Sequence, residues 1–366
     1  MLSGITTKLS IILWPLSLLY GAGVRLRNQL FDWGILKSKT FDVPIICIGN
    51  LAVGGTGKTP LTEYLIRMLK SKFRIAVVSR GYKRSTKGLV LATQEHTCQE
   101  IGDEPFQMRQ KFPDILIALD GNRCRAIEHL LSLPKEQRPE VILLDDAFQH
   151  RYVAASFTIL LTDYGCMFYQ DHLLPIGRLR EPVNGKQRAD LIIVSKTPID
   201  LKPIEYRITE TNMHLKAHQA VFFTYIQYGS LQPIFPNALP IVHPFPQEYS
   251  ILLVTGIASP RPLIEEVKKW GNELRILSFP DHHDFKESDI KKMHARFQAI
   301  SNKQKIILTT EKDASRLSQN PYITEDMKQH LFYIPICIGF QNEQDKEFEQ
   351  TIVKHIKTFQ QNKILW

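Results

Sequence analysis

The sequence predicts an α/β protein in which helices cover both faces of a parallel sheet, followed by a smaller second α/β domain. Short apolar runs rich in β-branched residues alternate with stretches of helical spacing, which is the pattern of parallel sheets. A length of 366 residues, 43% of them hydrophobic, suffices for about two such domains. The strand-like runs cover residues 43–49, 75–79, 115–119, 141–144, 158–162, 191–195, 251–255, 274–278 and 306–309.

A proline-rich stretch divides these runs into two groups. Residues 229–249 contain five prolines and are more polar than their surroundings, which predicts a connection between domains. We therefore expect an N-terminal helix at residues 1–30, a core domain at 31–228, the connection at 229–249, and the smaller domain at 250–366.

Charge and cysteine content limit the classes of protein. The net charge of +9 favours acidic partners, which include nucleic acid, anionic lipid and phosphorylated substrates. The five cysteines lie far apart and form no CxxC pair, so we expect neither a disulfide scaffold nor a zinc site. Free thiols are typical of a reducing compartment.

The N-terminal segment is apolar and bordered by basic residues. Residues 9–24 contain no charged side chain, Lys8 precedes them, and Arg25 and Arg27 follow. A spanning helix needs roughly 20 apolar residues, and this run is shorter and interrupted by Pro15. We expect a monotopic helix that lies in one leaflet with its basic end at the headgroups. A buried core helix, a true span and a cleaved signal peptide are the alternatives.

A glycine-rich loop follows the first strand-like run. Residues 50–59 end in Gly-Lys-Thr, and apolar side chains recur at helical spacing over residues 61–69. A strand, such a loop and a helix form a P-loop, whose backbone amides and lysine hold nucleotide phosphates. Lys58 is expected to reach the β- and γ-phosphates, and Thr59 to hold Mg²⁺. The predicted nucleotide-binding residues are Ala52, Val53, Gly54, Gly55, Thr56, Gly57, Lys58 and Thr59, with Ala52 where the strict pattern has glycine.

Two adjacent acids follow the strand-like run at residues 141–144. Asp145 and Asp146 stand where a P-loop protein presents the carboxylate that holds Mg²⁺. A turn or a helix cap after a strand is the alternative interpretation of these acids.

The motifs of two other P-loop classes are missing. A GTPase would place glycine at Phe148 or Gln149 and an acid after Lys196, and the sequence has neither. A transporter ATPase would carry a Leu-Ser-Gly-Gly-Gln signature in its core, which this chain lacks. A phosphotransferase that acts on a hydroxyl group remains.

Such an enzyme needs a group that accepts or orients the hydroxyl proton. Asp103 lies in the compact turn Gly-Asp-Glu-Pro, and His282 lies in the cluster Pro-Asp-His-His-Asp. An imidazole beside a carboxylate can be held in one tautomer and made a better base. Each residue also has a simpler interpretation, a turn residue for Asp103 and a surface histidine for His282.

Together these residues resemble the tetraacyldisaccharide 4′-kinase family, the lipid A 4′-kinases. The resemblance extends along nearly the whole chain and is specific because several of its motifs are uncommon in combination. The motifs are Gly49-Asn-Leu-Ala-Val-Gly-Gly-Thr-Gly-Lys-Thr-Pro60, Ser79-Arg-Gly-Tyr82, Gly102-Asp-Glu-Pro105, Asp145-Asp-Ala-Phe-Gln-His150, Leu173-Leu-Pro175, Leu179-Arg-Glu-Pro182, Thr255-Gly-Ile-Ala258, Asp281-His282 and Thr310-Glu-Lys-Asp313. The family pattern has glycine where this chain has Ala147.

The resemblance implies transfer of the γ-phosphate of ATP to the 4′-hydroxyl of an acylated glucosamine disaccharide 1-phosphate at the cytoplasmic face of the inner membrane. It implies that Asp103 is the base and His282 its partner. Asp145, Asp146 and Glu181 match the acids around Mg²⁺. Candidates for the substrate phosphate or anionic headgroups are Arg80, Lys83, Arg84, Arg178 and Arg180, which otherwise form a solvated basic surface.

Two other functions compete with this one. A P-loop ATPase that acts on another partner, such as nucleic acid, would fit the basic charge. However, it would not need the apolar N-terminus, and no basic and aromatic cluster suggests base stacking, so we expect no nucleic-acid partner. A nucleotide-binding module without catalysis would not need Asp103 and His282.

Overall fold

The computed structural model describes residues 3–240, 249–270 and 273–364, with the side chains of residues 3–12, 363 and 364 left aside. The strands are β1 Ile45–Asn50, β2 Ile75–Ser79, β3 Val90–Leu91, β4 Leu116–Leu119, β5 Val141–Leu144, β6 Phe157–Asp163, β7 Leu191–Ser195, β8 Ala220–Tyr228, β9 Gln232–Pro233, β10 Ser250–Thr255, β11 Leu274–Ser278, β12 Lys305–Thr310, β13 Leu331–Ile334 and β14 Ile336–Phe340. The α-helices are α1 Ser3–Asp32, α2 Lys58–Leu69, α3 Cys98–Ile101, α4 Asp103–Lys111, α5 Arg123–Ser132, α6 Pro203–Met213, α7 Arg261–Lys268, α8 Glu287–Gln298, α9 Glu311–Leu317, α10 Glu325–His330 and α11 Asp345–Ile364.

Nine of the described strands form one large sheet in the order β14-β8-β7-β6-β1-β5-β2-β4-β3. All pairs from β8 to β4 are parallel, and only the edge strands β14 and β3 are antiparallel. Strand β1 lies between β5 and β6, so its carboxyl end meets those of both neighbours. Loops at the carboxyl ends of parallel strands are where α/β proteins bind ligands.

Helices cover both faces of this sheet, as the sequence predicts. On one face, Ile46 and Ile48 of β1 share a core with Leu65 of α2 and Phe348 of α11. On the other face, the alternate β1 residues, Ile45 and Cys47 among them, pack with residues of α5. Side chains of a strand alternate between faces, so a strand that is apolar throughout must be buried on both. The predicted α/β fold is therefore confirmed.

The smaller sheet has the order β11-β10-β12-β13-β9 within the described residues. Its first four strands are parallel, and β9 adds an antiparallel edge. Strand β9 lies in the proline-rich stretch predicted as a connection, of which residues 241–248 fall outside the described residues.

The end of the chain departs from the predicted division at 250–366. Strand β14 pairs antiparallel with β8 and so belongs to the large sheet. Helix α11 comes next in the chain and packs on the large sheet, where its Phe348, Ile352 and Ile356 are buried in the core. The chain thus crosses to the small sheet after β8 and returns after β13. A short apolar run does not reveal which sheet it joins, because that depends on a partner strand over a hundred residues away.

Helix α1 lies against the loops after β5 and β6. The Ser17 hydroxyl donates to the Leu173 carbonyl at 3.0 Å, and the Tyr20 hydroxyl donates to the Arg180 carbonyl at 2.8 Å. Its outer side stays exposed, with Leu19 at 70% and Leu26 at 58%. Among the described residues, no helix combines the length and apolarity that a membrane crossing requires.

Candidate active site

The loop between β1 and α2 has the backbone that phosphate binding requires. Gly54 and Gly57 adopt φ angles of 106° and 82°, which side chains disfavour. Helix α2 begins at Lys58, directly after Gly57. Because glycine carries no side chain to cap the first amides, the N–H groups and the positive end of the helix dipole are available to an anion.

One flank of this loop is extended and pairs with the segment at Arg178–Arg180. The Val53 amide donates to the Arg178 carbonyl at 2.7 Å, and the Arg180 amide donates to the Leu51 carbonyl at 2.6 Å. Ala52 bridges antiparallel to Leu179 between them. The position therefore needs no left-handed backbone, which explains why alanine replaces the glycine of the strict pattern.

The opposite flank is held by side chains from the end of β7. The Ser195 hydroxyl donates to the Thr56 carbonyl at 2.9 Å. The Lys196 ammonium donates to the Gly55 carbonyl and, at 2.7 Å, to the Asp163 carboxylate. The backbone carbonyls of Gly55 and Thr56 are thereby fixed toward the end of β7.

Asp145 and Asp146 follow β5 beside this loop. Asp145 is buried, and accepts hydrogen bonds from the hydroxyls of Thr62 at 3.1 Å and Ser79 at 3.4 Å. Burial first, and then the neighbouring Asp146, raise the pKa of Asp145 to about 6. The buried carboxylate thus lacks sufficient compensating positive charge.

Asp146 faces two cations. Its carboxylate lies 3.7 Å from the Lys58 ammonium and 2.9 Å from the Arg180 guanidinium. Burial acts to raise the pKa of Asp146, but Lys58 and Arg180 outweigh it and hold the pKa below its ordinary value. The φ of Asp146 is 46°, whereas Ala147 has no such strained φ. Alanine for the family's glycine at position 147 is therefore compatible with this turn.

Asp103 and His282 meet across the two sheets. Asp103 is the first residue of α4, and His282 lies in the loop after β11 with a φ of 56°. Their Oδ2 and Nδ1 atoms are 2.7 Å apart. A non-glycine residue in this backbone region costs about 1–3 kcal/mol and is concentrated at functional sites.

Helix α9 supplies two cations to this pair. Arg316 donates to Asp103 Oδ2 from Nη2 at 2.5 Å and from Nε at 3.1 Å. Lys312 Nζ lies 3.0 Å from His282 Nε2 and 3.0 Å from the Glu104 carboxylate. Burial acts to raise the pKa of Asp103, but bonds from His282 and Arg316 hold it well below its usual range.

Other predicted site residues lie elsewhere. Glu181 is buried and accepts from Asn28 at 3.0 Å and Arg188 at 2.9 Å, so it ties α1 to the loop after β6. Arg178 pairs with Asp171 at 3.0 Å. Arg80, Lys83 and Arg178 are all exposed.

Several site residues were not predicted. Lys312 had a signal, since it lies in the motif Thr310–Asp313, to which no role was assigned, whereas Arg316 lies three residues beyond that motif. Asn50 also had one, since it lies in the motif Gly49–Pro60, and its amide donates to the Thr56 hydroxyl at 2.8 Å. Thr62, which binds Asp145, had none.

The fold and these residues define a P-loop phosphotransferase. The model of the tetraacyldisaccharide-1-P 4′-kinase family, LpxK, matches residues 9–357, and the chain belongs to this family. It is 51% identical over 360 residues to the tetraacyldisaccharide 4′-kinase of Parabacteroides distasonis, covering 98% of each chain. The protein of the same name from Phocaeicola vulgatus is 46% identical over 363 residues, 99% of each chain.

A solved structure has the same fold. The crystal structure of LpxK from Aquifex aeolicus, described as an apo form in complex with ATP, is 28% identical with a TM-score of 0.73. The match covers 95% of this chain and 99% of that one. The expectations of a kinase family and of its fold are confirmed.

Proposed function

We propose that this enzyme transfers the γ-phosphate of ATP to the 4′-hydroxyl of a tetraacylated glucosamine disaccharide 1-phosphate, at the cytoplasmic surface of the inner membrane. The observation that supports it best is the meeting of two half-sites. Lys58 and Asp146 form one half-site beside the P-loop, and Asp103 forms the other with His282, which the second sheet supplies. Family membership supplies the substrate class.

The phosphate half-site has the charges that phosphoryl transfer requires. Lys58 is 16% exposed, so its ammonium is partly shielded from water and acts strongly on a nearby anion. Arg180 is held beside it through Asp146. Because the transition state is loose, positioning and charge stabilisation account for most of the catalysis.

Asp145 and Asp146 fit a magnesium ion. The described residues contain no cluster of three or more His, Cys, Asp or Glu side chains placed to hold a metal. Mg²⁺ is usually bound by one or two carboxylates together with substrate phosphates, so two acids suffice. The uncompensated burial of Asp145 is consistent with a cation nearby. Thr59, Asp145 and Asp146 would hold it, and when bound it would neutralise phosphate oxygens; Glu181 would act indirectly.

The acceptor half-site joins Asp103, from the large-sheet part of the chain, to His282, from the loop after β11 of the small sheet. We propose that the reaction takes place in a cleft between the two sheets. The domain boundary would then lie after β8, and the chain would return to the first domain after β13. Closure of such a cleft excludes water and limits wasteful ATP hydrolysis. Arg80 and Lys83 are exposed near the end of β2 and remain available for the substrate phosphate or lipid headgroups.

The outer side of α1 would lie in the membrane surface. Its exposed apolar residues include Trp14, Leu16, Leu18, Leu19 and Leu26. Its inner side is tied to the loop at Arg180 and Glu181. An acylated substrate would therefore be drawn from the leaflet directly beside the P-loop.

Transfer of labelled phosphate tests the proposal. Purified enzyme with γ-labelled ATP and Mg²⁺ should label a tetraacylated disaccharide 1-phosphate in mixed micelles. An analogue without a free 4′-hydroxyl should stay unlabelled. Equal labelling of both lipids, or ATP hydrolysis without lipid labelling, would refute the assignment.

A further inference from the structure

Helices α4 and α9 come from different parts of the fold and are joined by ion pairs at both ends. At one end, Arg316 of α9 donates to Asp103, the first residue of α4, at 3.1 Å. At the other end the signs are reversed, because Lys111, the last residue of α4, lies 2.6 Å from Glu311, the first residue of α9. The helices therefore run antiparallel, and the reversed signs match in only one register.

The end of this contact that lies away from Asp103 also reaches the P-loop helix α2. Lys111 lies 2.6 Å from Glu63 of α2 as well as from Glu311, and these side chains are 1% and 8% exposed. The Gln107 amide donates to the same two acids, at 2.7 Å and 3.2 Å. Arg67 also pairs with Glu63, so Glu311 depends most on Lys111. Buried carboxylates repel each other unless a cation lies between them, so the contact favours α2, α4 and α9 in this arrangement.

Each of the three helices carries a part of the proposed site close to this contact. In α2, Thr62 directly precedes the acid of the contact and donates to the buried Asp145. Helix α4 begins at Asp103, about two turns before its lysine. In α9, Lys312 directly follows the acid of the contact and lies 3.0 Å from His282 Nε2. A shift of α9 relative to α2 would therefore move one half-site relative to the other.

We infer that Lys111, Glu63 and Glu311 are positioning residues that hold the acceptor half-site against the P-loop half-site. This inference rests on the proposed function. The three side chains act through the helices that carry the site, because they fix α9 relative to α2 and so set the distance from His282 to the phosphates at the P-loop. Phosphoryl transfer depends mostly on positioning, and a misplacement of about 1 Å can cost roughly 100-fold in rate.

Steady-state kinetics of Lys111→Met test this role. The KM for ATP should stay near the wild-type value because the P-loop is kept, whereas kcat for phosphate transfer to the lipid should fall roughly 10- to 100-fold. Lys111→Arg keeps the charge and should restore most of kcat. The control Lys291→Met removes a lysine that is 75% exposed and paired with Glu287, and should leave kcat unchanged. A wild-type kcat in Lys111→Met would contradict the role.

A double-mutant cycle separates positioning from a loss of folded protein. If Lys111 acts through His282, Lys111→Met should cost at most about twofold in kcat when His282→Ala is already present, since residues that act as a unit are not additive. Misfolding would lower kcat by the same factor in both backgrounds, and an undiminished loss would overturn the inference. Glu311→Gln leaves Lys111 paired with Glu63 and should give the same pattern, so the test does not depend on one variant that folds poorly.

Pulsed EPR tests the contact without any assay of activity. Spin labels carried by unnatural amino acids at the exposed positions 135 and 291 report the distance between the large-sheet and small-sheet parts of the chain. Lys111→Met should broaden this distance distribution, whereas Lys269→Met, at a lysine that is 70% exposed, should not. A loss of stability alone leaves the distance within folded molecules unchanged, and an unchanged distribution in Lys111→Met would overturn the inference. This result stands even if the enzyme phosphorylates another acceptor, whereas failure of lipid labelling refutes only the proposed function.

Discussion

Lys111 should matter for stability far more than other lysines, because it neutralises two buried carboxylates from different parts of the fold. Its ammonium lies 2.6 Å from Glu63 of α2 and 2.6 Å from Glu311 of α9. Glu63 is 1% exposed and Glu311 is 8% exposed at their side chains. The contact therefore joins the P-loop helix to the helix that carries Lys312.

The variant Lys111→Met keeps the aliphatic stem and removes the charge. Removing one partner of a buried ion pair costs about 3–5 kcal/mol, because the other charge stays buried and uncompensated. Lys111 is one-fifth exposed, and Glu63 still pairs with Arg67 at 3.0 Å and accepts from Gln107 at 2.7 Å. We therefore expect a loss below that range, about 2–3 kcal/mol, which comes mainly from Glu311.

The loss should depend on pH. Burial, followed by the nearby Glu63, raises the pKa of Glu311, and Lys111 opposes this. A carboxyl whose pKa is higher in the folded than in the unfolded state stabilises the fold at low pH and loses that contribution as pH rises through the folded pKa. Without Lys111, the difference between the folded-state and unfolded-state pKa of Glu311 widens. The destabilisation should therefore be larger at pH 8 than at pH 5.

Urea unfolding, monitored by tryptophan fluorescence at both pH values, would measure the loss of unfolding free energy in Lys111→Met. The matched control is Lys269→Met, which removes a lysine that is 70% exposed and paired with Glu266. Surface pairs contribute little, so the control should unfold at the wild-type urea concentration. Equal midpoints for Lys111→Met and the control, or a larger loss at pH 5, would refute the reasoning.

Three further outcomes follow from the site and from α1. Lys58→Ala should lower phosphate transfer by orders of magnitude, because the charge nearest the transferring group is commonly worth several kcal/mol, and near-normal transfer would contradict the P-loop assignment. Leu19→Asp should reduce sedimentation with anionic vesicles, while Ile199→Asp, equally exposed at 70%, should not; equal binding of both would argue against a membrane role of α1. Asp103→Ala and His282→Ala should each lower kcat roughly 10²–10⁴-fold with ATP affinity kept, and the double variant should cost much less than the product; multiplicative losses would mean independent roles.

The parts of the site that depend on local sequence could be predicted. The loop from Ala52 to Thr59, the acids after β5 and the positions of most parallel strands along the chain follow from spacing and residue type within short windows. The extended backbone at position 52 also explains why alanine is tolerated there, but this is evident only once the bridge between Ala52 and Leu179 is known.

The parts that depend on distant contacts could not be predicted. Strand β14 joins a partner over a hundred residues earlier, and Arg316 of α9 reaches Asp103 from more than two hundred residues away. The resemblance placed Glu181 among the acids around Mg²⁺, and the sequence did not reveal that its carboxylate accepts from Asn28 and Arg188. Alternate residues of an extended segment point to opposite sides. Arg180 faces Asp146, whereas Glu181 faces α1.

The position of the new phosphate in the product tests the central claim most directly. The lipid formed by the wild-type enzyme with ATP and Mg²⁺ would be isolated and its phosphate located by two-dimensional ³¹P–¹H NMR. We predict a single added phosphate on the 4′-oxygen, which is absent when Lys58→Ala replaces the wild-type enzyme. A phosphate on another oxygen, or release of inorganic phosphate with the disaccharide unchanged, would contradict the account.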